Sequence, residues 1–383
     1  MSRKWRLQFY FSIFLASFGL GMHMYFIPLF AQQFGATFLD LGYIGTGSAL
    51  TYCIAPFIVG FFADRLDHVW LYVFALLINS AATMVLVFSH SVESILILRS
   101  LGGLGYAFLW PSSEVLVIDL VSEAERIKEM GVYSVSWGAG FLVGPLVGGF
   151  VIQLFGFIIL FAASSLLIFF AFLQTLIYIL PYRVKSRVLE KPVNWAYVKT
   201  QLLPWYILVV CYGMIFSTIT SIFPGYANSI GVGAQLIGVL FAAFGLSRLG
   251  VFATLERYLR VGERKALMLA SILIAGCVLI LGVFPSFFAF LPTIIVLGGC
   301  FGILFPVCIS LISRIFPPAK AGAAVGSYEA VYGIGAAVGP VLVGLVAAES
   351  EVRLSFVAIT VLGLVMAIAA WYGNEDMSMN APP

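Results

Sequence analysis

Five side chains able to carry charge stand inside long apolar stretches of this chain: His23, Arg99, Glu114, Arg248 and Glu329. Ionisable groups are costly to hold in lipid, and where they occur there they tend to mark the path of an ion or a polar solute. A carboxyl group withdrawn from water is hard to keep charged. Glu114 is therefore the first candidate for a group that takes up and releases a proton, the competing role being a permanent ion pair. Two roles stay open for Glu329, a latch between helices or a second proton site. A buried Arg248 requires an anion, from the protein or from a bound solute. His23 is weighed as a proton relay against a core histidine, and Arg99 as a coupling residue against a hub for backbone carbonyls.

At 100° per residue, Arg99, Gly103, Tyr106, Trp110 and Glu114 fall on one side of a helix, whereas Asp119 points elsewhere. Tyr25, Trp137, Tyr212, Tyr328 and Tyr332 also lie at depths where they could line a central pocket. Aromatic walls beside a carboxylate suit lipophilic or cationic compounds, through dispersion and cation–π attraction. An anionic compound would instead be held by Arg99 and Arg248. Rings at such positions also serve as plain packing between helices, and the spacing alone leaves both readings open.

The elements that must position these groups follow from composition. Apolar residues make up 62% and charged residues 10% of the 383, with a mean hydropathy of +1.08, far outside the range of water-soluble domains. Apolar runs predict twelve membrane-spanning helices near 7–31, 40–62, 69–88, 94–118, 130–152, 157–180, 204–226, 235–255, 266–284, 287–313, 322–347 and 354–372. The basic start leads into an apolar run that continues through Gly19, Pro28 and Phe30, which reads as the first span and not as a cleaved leader. Seventeen of the twenty Lys and Arg fall on the side of the N-terminus. The positive-inside rule makes that side cytoplasmic, and an even number of spans returns the C-terminus to it.

The chain also repeats itself. Adding 195 to Pro111, Gly131, Tyr133, Gly138, Gly140, Val143, Gly144, Pro145 and Gly149 lands on Pro306, Gly326, Tyr328, Gly333, Gly335, Val338, Gly339, Pro340 and Gly344. A direct repeat of a six-span unit predicts two similar bundles, 1–180 and 204–383, joined by a basic cytoplasmic linker at 181–203. The function is then expected between the halves. Small residues four apart let another helix backbone come close, and the repeated Gly144-Pro145 and Gly339-Pro340 predict a bend at the same place in each half. The five cysteines, Cys53, Cys211, Cys277, Cys300 and Cys308, have no metal-ligand spacing and read as small core residues. No phosphate-binding glycine loop, zinc motif or Ser/His/Asp arrangement is legible, so neither an enzyme nor an ATP-driven pump is expected.

Three local signatures carry a resemblance. Gly60-Phe61-Phe62-Ala63-Asp64-Arg65-Leu66-Asp67-His68 is similar to the G-x-x-x-D-R-x-G-R/K loop of the major facilitator superfamily. Arg99 to Gly105 is similar to that family's R-x-x-x-G-x-G element, and Gly140 to Gly149, with Gly144, Pro145 and Gly148, fits its G-x-x-x-G-P-x-x-G-G element. The last resembles the antiporter branch, including drug/proton exporters. The resemblance covers nearly the whole chain and implies an all-α membrane protein, with twelve transmembrane helices in two pseudo-symmetric six-helix bundles. It implies a gate in which Asp64 closes the cytoplasmic side, with Arg65 and Asp119 adding charge pairs. Asp67 and His68 depart from the pattern, and His68 introduces a group able to titrate near neutral pH.

The expected function is proton-coupled export of a small amphipathic compound by alternating access. The alternatives are uptake or facilitated passage of a sugar or organic anion, and a non-transporting membrane receptor or scaffold. The expected partners are the small-molecule substrate, protons and membrane lipid, without nucleic acid. The driving force would be a proton gradient with no bound cofactor or metal, and the chain would act as a monomer in the cell membrane.

Overall fold

A computed structural model describes residues 3–63, 68–120, 126–181, 195–315 and 321–373, and every regular element among them is helical. The N-terminal half comprises α1 (Arg3–Met24), α2 (Ile27–Gln32), α3 (Phe38–Ala63), α4 (His68–Val85) with a short 3-10 turn (Leu86–Phe88), α5 (Val92–Leu120) and α6 (Arg126–Tyr178). The C-terminal half comprises α7 (Trp195–Ser221), α8 (Phe223–Ser229), α9 (Ala234–Ala253), α10 (Leu255–Leu259), α11 (Glu263–Val283), α12 (Phe287–Ile315), α13 (Ala321–Glu349) and α14 (Val352–Tyr372). Among the described residues, ten helical stretches are long and apolar enough to cross a bilayer.

One of those stretches is two passages. At 1.5 Å per residue, the 53 residues of α6 would run about 80 Å, more than twice the hydrocarbon thickness. The helix breaks at Gly156, whose φ of 80° and ψ of −178° no residue with a Cβ adopts without strain. The chain turns back there and crosses again, giving the passages read from sequence at 130–152 and 157–180. With α3 as a further passage, the described residues make twelve passages. α7 starts inside the stretch read as linker, because its first turns are too polar for an apolar-run criterion to find.

The repeat is visible in backbone detail. Each half opens with a passage broken near the face opposite the termini: α1 gives way to α2 just before Pro28, and α7 to α8 just before Pro224. Proline at the first positions of a helix needs no hydrogen-bond partner for its nitrogen, so each short helix restarts at a new angle. Within the N-terminal bundle α1 packs on α6 and α4 on α5; within the C-terminal bundle α13 packs on α7 and α11 on α14. Between bundles the contacts are α3 with α13 and the first passage of α6 with α9.

Side chains such as Leu154, Phe155, Ile158 and Phe288 point outward, as a lipid-facing surface requires. Inside the bundles small polar groups are paired across helices. Ser12 Oγ lies 3.0 Å from Tyr72 Oη and 2.8 Å from Thr175 Oγ1, and Ser80 and Ser165 each donate to the other's carbonyl. At the face that holds the chain start, Glu129 accepts from Arg6 at 2.7 Å and from the Tyr10 hydroxyl, fixing α1 to the beginning of α6.

Candidate functional site

A cavity of about 460 Å3 lies between the two bundles, a size that accommodates a drug-sized molecule. Tyr25, Tyr106, Trp110 and Trp137 line it from the N-terminal half, and Tyr212, Arg248, Tyr328 and Tyr332 from the C-terminal half. Glu114, Glu329 and Arg99 line it as well. The side of α5 that periodicity brings together, Arg99, Tyr106, Trp110 and Glu114, therefore faces this space, while Gly103 abuts the Ser48 carbonyl of α3.

The walls are aromatic on both sides. Trp110 and Trp137 meet edge to face at 6.4 Å, and Trp137 meets Phe252 of the other half at 5.9 Å. Tyr328 and Tyr332 are parallel within 8°, and Tyr212 packs against Tyr332 and Phe216. Tyr25 stacks across the bundle interface on Phe241 at 4.0 Å.

The four charged groups differ in how they are satisfied. Arg99 donates to the Tyr106 hydroxyl at 3.2 Å and lies over the same ring, so its partner is a phenol and not the backbone carbonyls of the hub reading. Glu329 accepts a hydrogen bond from Tyr52 Oη at 2.5 Å, which joins α13 to α3 across the bundle interface. Glu114 has no hydrogen-bond or ion-pair partner among the described residues, so the permanent ion pair weighed for it is not formed there. Arg248 has none either; its guanidinium carbon lies 5.2 to 5.9 Å from the ring centres of Trp137, Phe216, Phe252 and Phe305. Its Nε is buried without an acceptor.

His23 lies apart from this space. Its ring nitrogen is 2.9 Å from the Gly19 carbonyl and its edge meets Phe161. With Asn79, Arg99 and Tyr106 it lines a small neighbouring cavity of about 10 Å3, room for about one water molecule.

The glycine-proline stretch of α6 has two working faces. A Cβ on Gly144 would fall 2.7 Å from the backbone of Gly21 and Met22, and Gly140 and Gly148 press on the same helix α1. Gly149 instead faces α9, where a Cβ would lie 2.7 Å from the Ala234 carbonyl, and the Pro145 carbonyl abuts Gly238. The second half repeats the plan. Gly335 and Gly339 press on α7, and a Cβ on Gly344 would fall 2.9 Å from the Phe38 carbonyl of α3. A Cβ on Gly42 of α3 would in turn fall 2.7 Å from the Pro340 carbonyl. These close approaches, with Thr46 Oγ1 donating to the Ala337 carbonyl at 2.6 Å, seal the bundles together on the face opposite the termini. Two side-chain bonds add to the seal, from Gln32 Nε2 to the Gly225 carbonyl and from Asn228 Nδ2 to Gln32 Oε1.

Of the expected gate residues, Gly60 lies in the last turn of α3 and His68 opens α4, half-buried. Asp64, Arg65 and Asp67 fall outside the described residues, as does the side chain of Asp119 near the end of α5.

Tyr52, Tyr133, Phe216, Phe252 and Phe305, none of them among the pocket residues expected from the sequence, also line the cavity. A signal for four of them was available. Tyr133, Phe216 and Phe252 stand one helical turn from Trp137, Tyr212 and Arg248, and Tyr52 follows Gly45 and Ser48 on one face of α3.

An all-helical chain of twelve membrane passages in two repeated bundles, with charge and aromatic side chains around a cavity between them, defines a multi-pass membrane transporter. The chain belongs to the Major Facilitator Superfamily, whose model matches residues 9–259 and, a second time, 206–382. Multidrug resistance protein 1 of Bacillus subtilis is 28% identical over 176 residues, which are 46% of this chain and 44% of that protein. Quinolone resistance protein NorA of Staphylococcus aureus is 24% identical over 288 residues, 72% of this chain and 73% of that one. Thus the chain spans under half the length of the first relative and about three quarters of the second.

Among solved structures, a variant of the nucleoside transporter NupG aligns with a TM-score of 0.81 at 15% identity, covering 96% of this chain and 99% of its own. A bacterial homologue of the human lysosomal transporter Spinster, in an inward-facing and unoccupied conformation, aligns with a TM-score of 0.75 at 14% identity, covering 97% and 98%. Identities this low speak for the fold alone.

Proposed function

We propose that this transporter exports a small amphipathic compound in exchange for protons, by alternating access of the central cavity to the two sides of the membrane. The observation that carries the proposal is Glu114: a carboxyl group on an aromatic cavity wall with no partner among the described residues. Such a group can be neutralised either by a proton or by a cationic part of a bound compound. The two therefore compete for one site, which is the physical requirement for exchange. Protonation from the outer side releases the compound, and loss of the proton towards the cytoplasm restores affinity. Glu329 lines the same cavity from the C-terminal bundle and is joined to α3 of the N-terminal bundle through Tyr52.

The drug-resistance names of the two relatives support this direction of transport. The seal on the face opposite the termini suits an inward-facing state if the termini are cytoplasmic, as the skewed distribution of Lys and Arg implies. The chain would then sit in the cell membrane, act as a monomer and draw on the proton gradient with no other cofactor. Arg248 favours a second reading, passage of an organic anion, because it is a cavity cation without a carboxylate among the described residues.

Proteoliposomes with an imposed pH gradient separate the readings. Under the export reading, addition of an amphipathic amine moves protons in the direction opposite to the amine, and Glu114→Gln abolishes that movement, a loss of at least about a hundredfold in coupled flux. Transport with no proton movement in the parent protein would replace exchange by facilitated passage.

A further inference from the structure

The surroundings of Arg248 deepen the export reading by specifying the charge of the compound, whose presence in the cavity rests on that reading. A guanidinium group has two flat faces, which attract aromatic rings, and an edge carrying five N–H donors, which requires acceptors. In Arg248 the rings are supplied by both bundles: Trp137 from α6, Phe216 from α7, Phe252 beside it on α9, and Phe305 from α12. The acceptors are not supplied. Among the described residues no carboxylate, hydroxyl or carbonyl bonds to Arg248, and its Nε is enclosed with nothing to donate to. Arg99, the other cavity cation, already donates to Tyr106. The cavity therefore holds one cation without an acceptor and one carboxylate, Glu114, without a donor.

Aromatic rings line the cavity from both bundles, Trp110 and Trp137 from one and Phe252, Tyr212 and Tyr332 from the other, which favours a flat body. A purely cationic compound would leave Arg248 without an acceptor, and a purely anionic one would leave Glu114 without a donor. A compound carrying both charges meets neither penalty. We infer that the substrate is a flat aromatic zwitterion, whose carboxylate docks on the guanidinium edge of Arg248 and whose basic nitrogen is held by Glu114. Charge-assisted bonds of this kind are about twice as strong as neutral ones, and a planar guanidinium takes a carboxylate through two parallel bonds.

The test uses the full-length protein in lipid nanodiscs and a matched series on one bicyclic aromatic scaffold: the amino acid, its methyl ester, and the acid lacking the amine. Equilibrium binding is measured calorimetrically for each and transport is measured separately in proteoliposomes. The parent protein is expected to bind the amino acid at least about tenfold more tightly than either partner compound. Arg248→Gln is expected to bring the ratio of amino acid to ester close to one, while Arg248→Lys, which keeps the charge but not the planar pair of donors, retains part of it. Equal or tighter binding of the ester by the parent overturns the inference with no variant needed, so a misfolded Arg248→Gln protein leaves it testable. If the binding preference is found but no compound moves protons, the zwitterion site stands and the export reading falls.

Discussion

Tyr52 and Glu329 are separated by 277 residues in the chain, yet the Tyr52 hydroxyl donates to the Glu329 carboxylate across the interface of the two bundles at 2.5 Å. The bond sits on the wall of the central cavity, beyond the run of contacts from Gly42 and Pro340 to Thr46 and Ala337 that seals the opposite face. A bond to a charged group contributes roughly 1.5 to 3 kcal/mol when its partners are out of water. Tyr52→Phe and Glu329→Gln are therefore each expected to shift the bundles towards the state open on the face opposite the termini, by about tenfold in population. Spin-label distances between labels at positions 33 and 230, near the ends of α2 and α8, read this shift. The double variant should shift it no further than one single variant; additive shifts would mean that the two residues act independently.

The two glycine faces of α6 predict two different failures. Gly149→Val places side-chain atoms against the Ala234 carbonyl of α9, and Gly42→Val does so against the Pro340 carbonyl of α13, both across the bundle interface. Each should disfavour the sealed state by about 1 to 3 kcal/mol while the bundles themselves stay folded. Gly144→Val strikes α1 inside one bundle and should instead lower the thermal unfolding temperature. Gly276→Ala, with no atom within 4 Å of the added Cβ, is the matched control. Unfolding temperatures and label distances that rank the three valine variants alike would contradict this division.

Glu129 offers a comparison of buried and exposed ion pairs within one molecule. Its bond to Arg6 joins side chains only 9% and 22% exposed, whereas the Glu263 and Arg314 pair joins side chains 21% and 52% exposed. Removing one partner of a buried pair costs on the order of 3 kcal/mol, and of an exposed pair about 1 kcal/mol or less. Glu129→Ala should accordingly destabilise the purified protein well beyond Glu263→Ala in thermal unfolding. Equal losses would place Glu129 in water.

His23 is expected to behave as a packing residue. Its ring is bonded to the Gly19 carbonyl one turn back and lies against Phe161, outside the main cavity. His23→Gln should lower stability and leave substrate-driven proton movement in place. Loss of proton movement with unchanged stability would return it to the proton path, through the small space it shares with Arg99.

Much of this architecture is written locally in the chain. Apolar run length sets the number of passages because a bilayer has a fixed thickness, and the 195-residue repeat sets the two-bundle plan because like sequences fold alike. The face of α5 that carries Arg99, Tyr106, Trp110 and Glu114 follows from helical periodicity within a single element. Partners supplied by distant elements are not legible in this way. Periodicity places Glu329 on one side of α13 with the small residues Gly326, Gly333 and Ala336 but cannot say that Tyr52 of α3 meets it, since that depends on how two bundles dock. The four rings around Arg248 come from four helices, and only their assembly shows that its faces are covered while its donors are left unpaired. Backbone hydrogen bonding and the hydrophobic thickness of lipid fixed the helices one at a time; the close packing of glycine backbones between helices decided which side chains share the cavity.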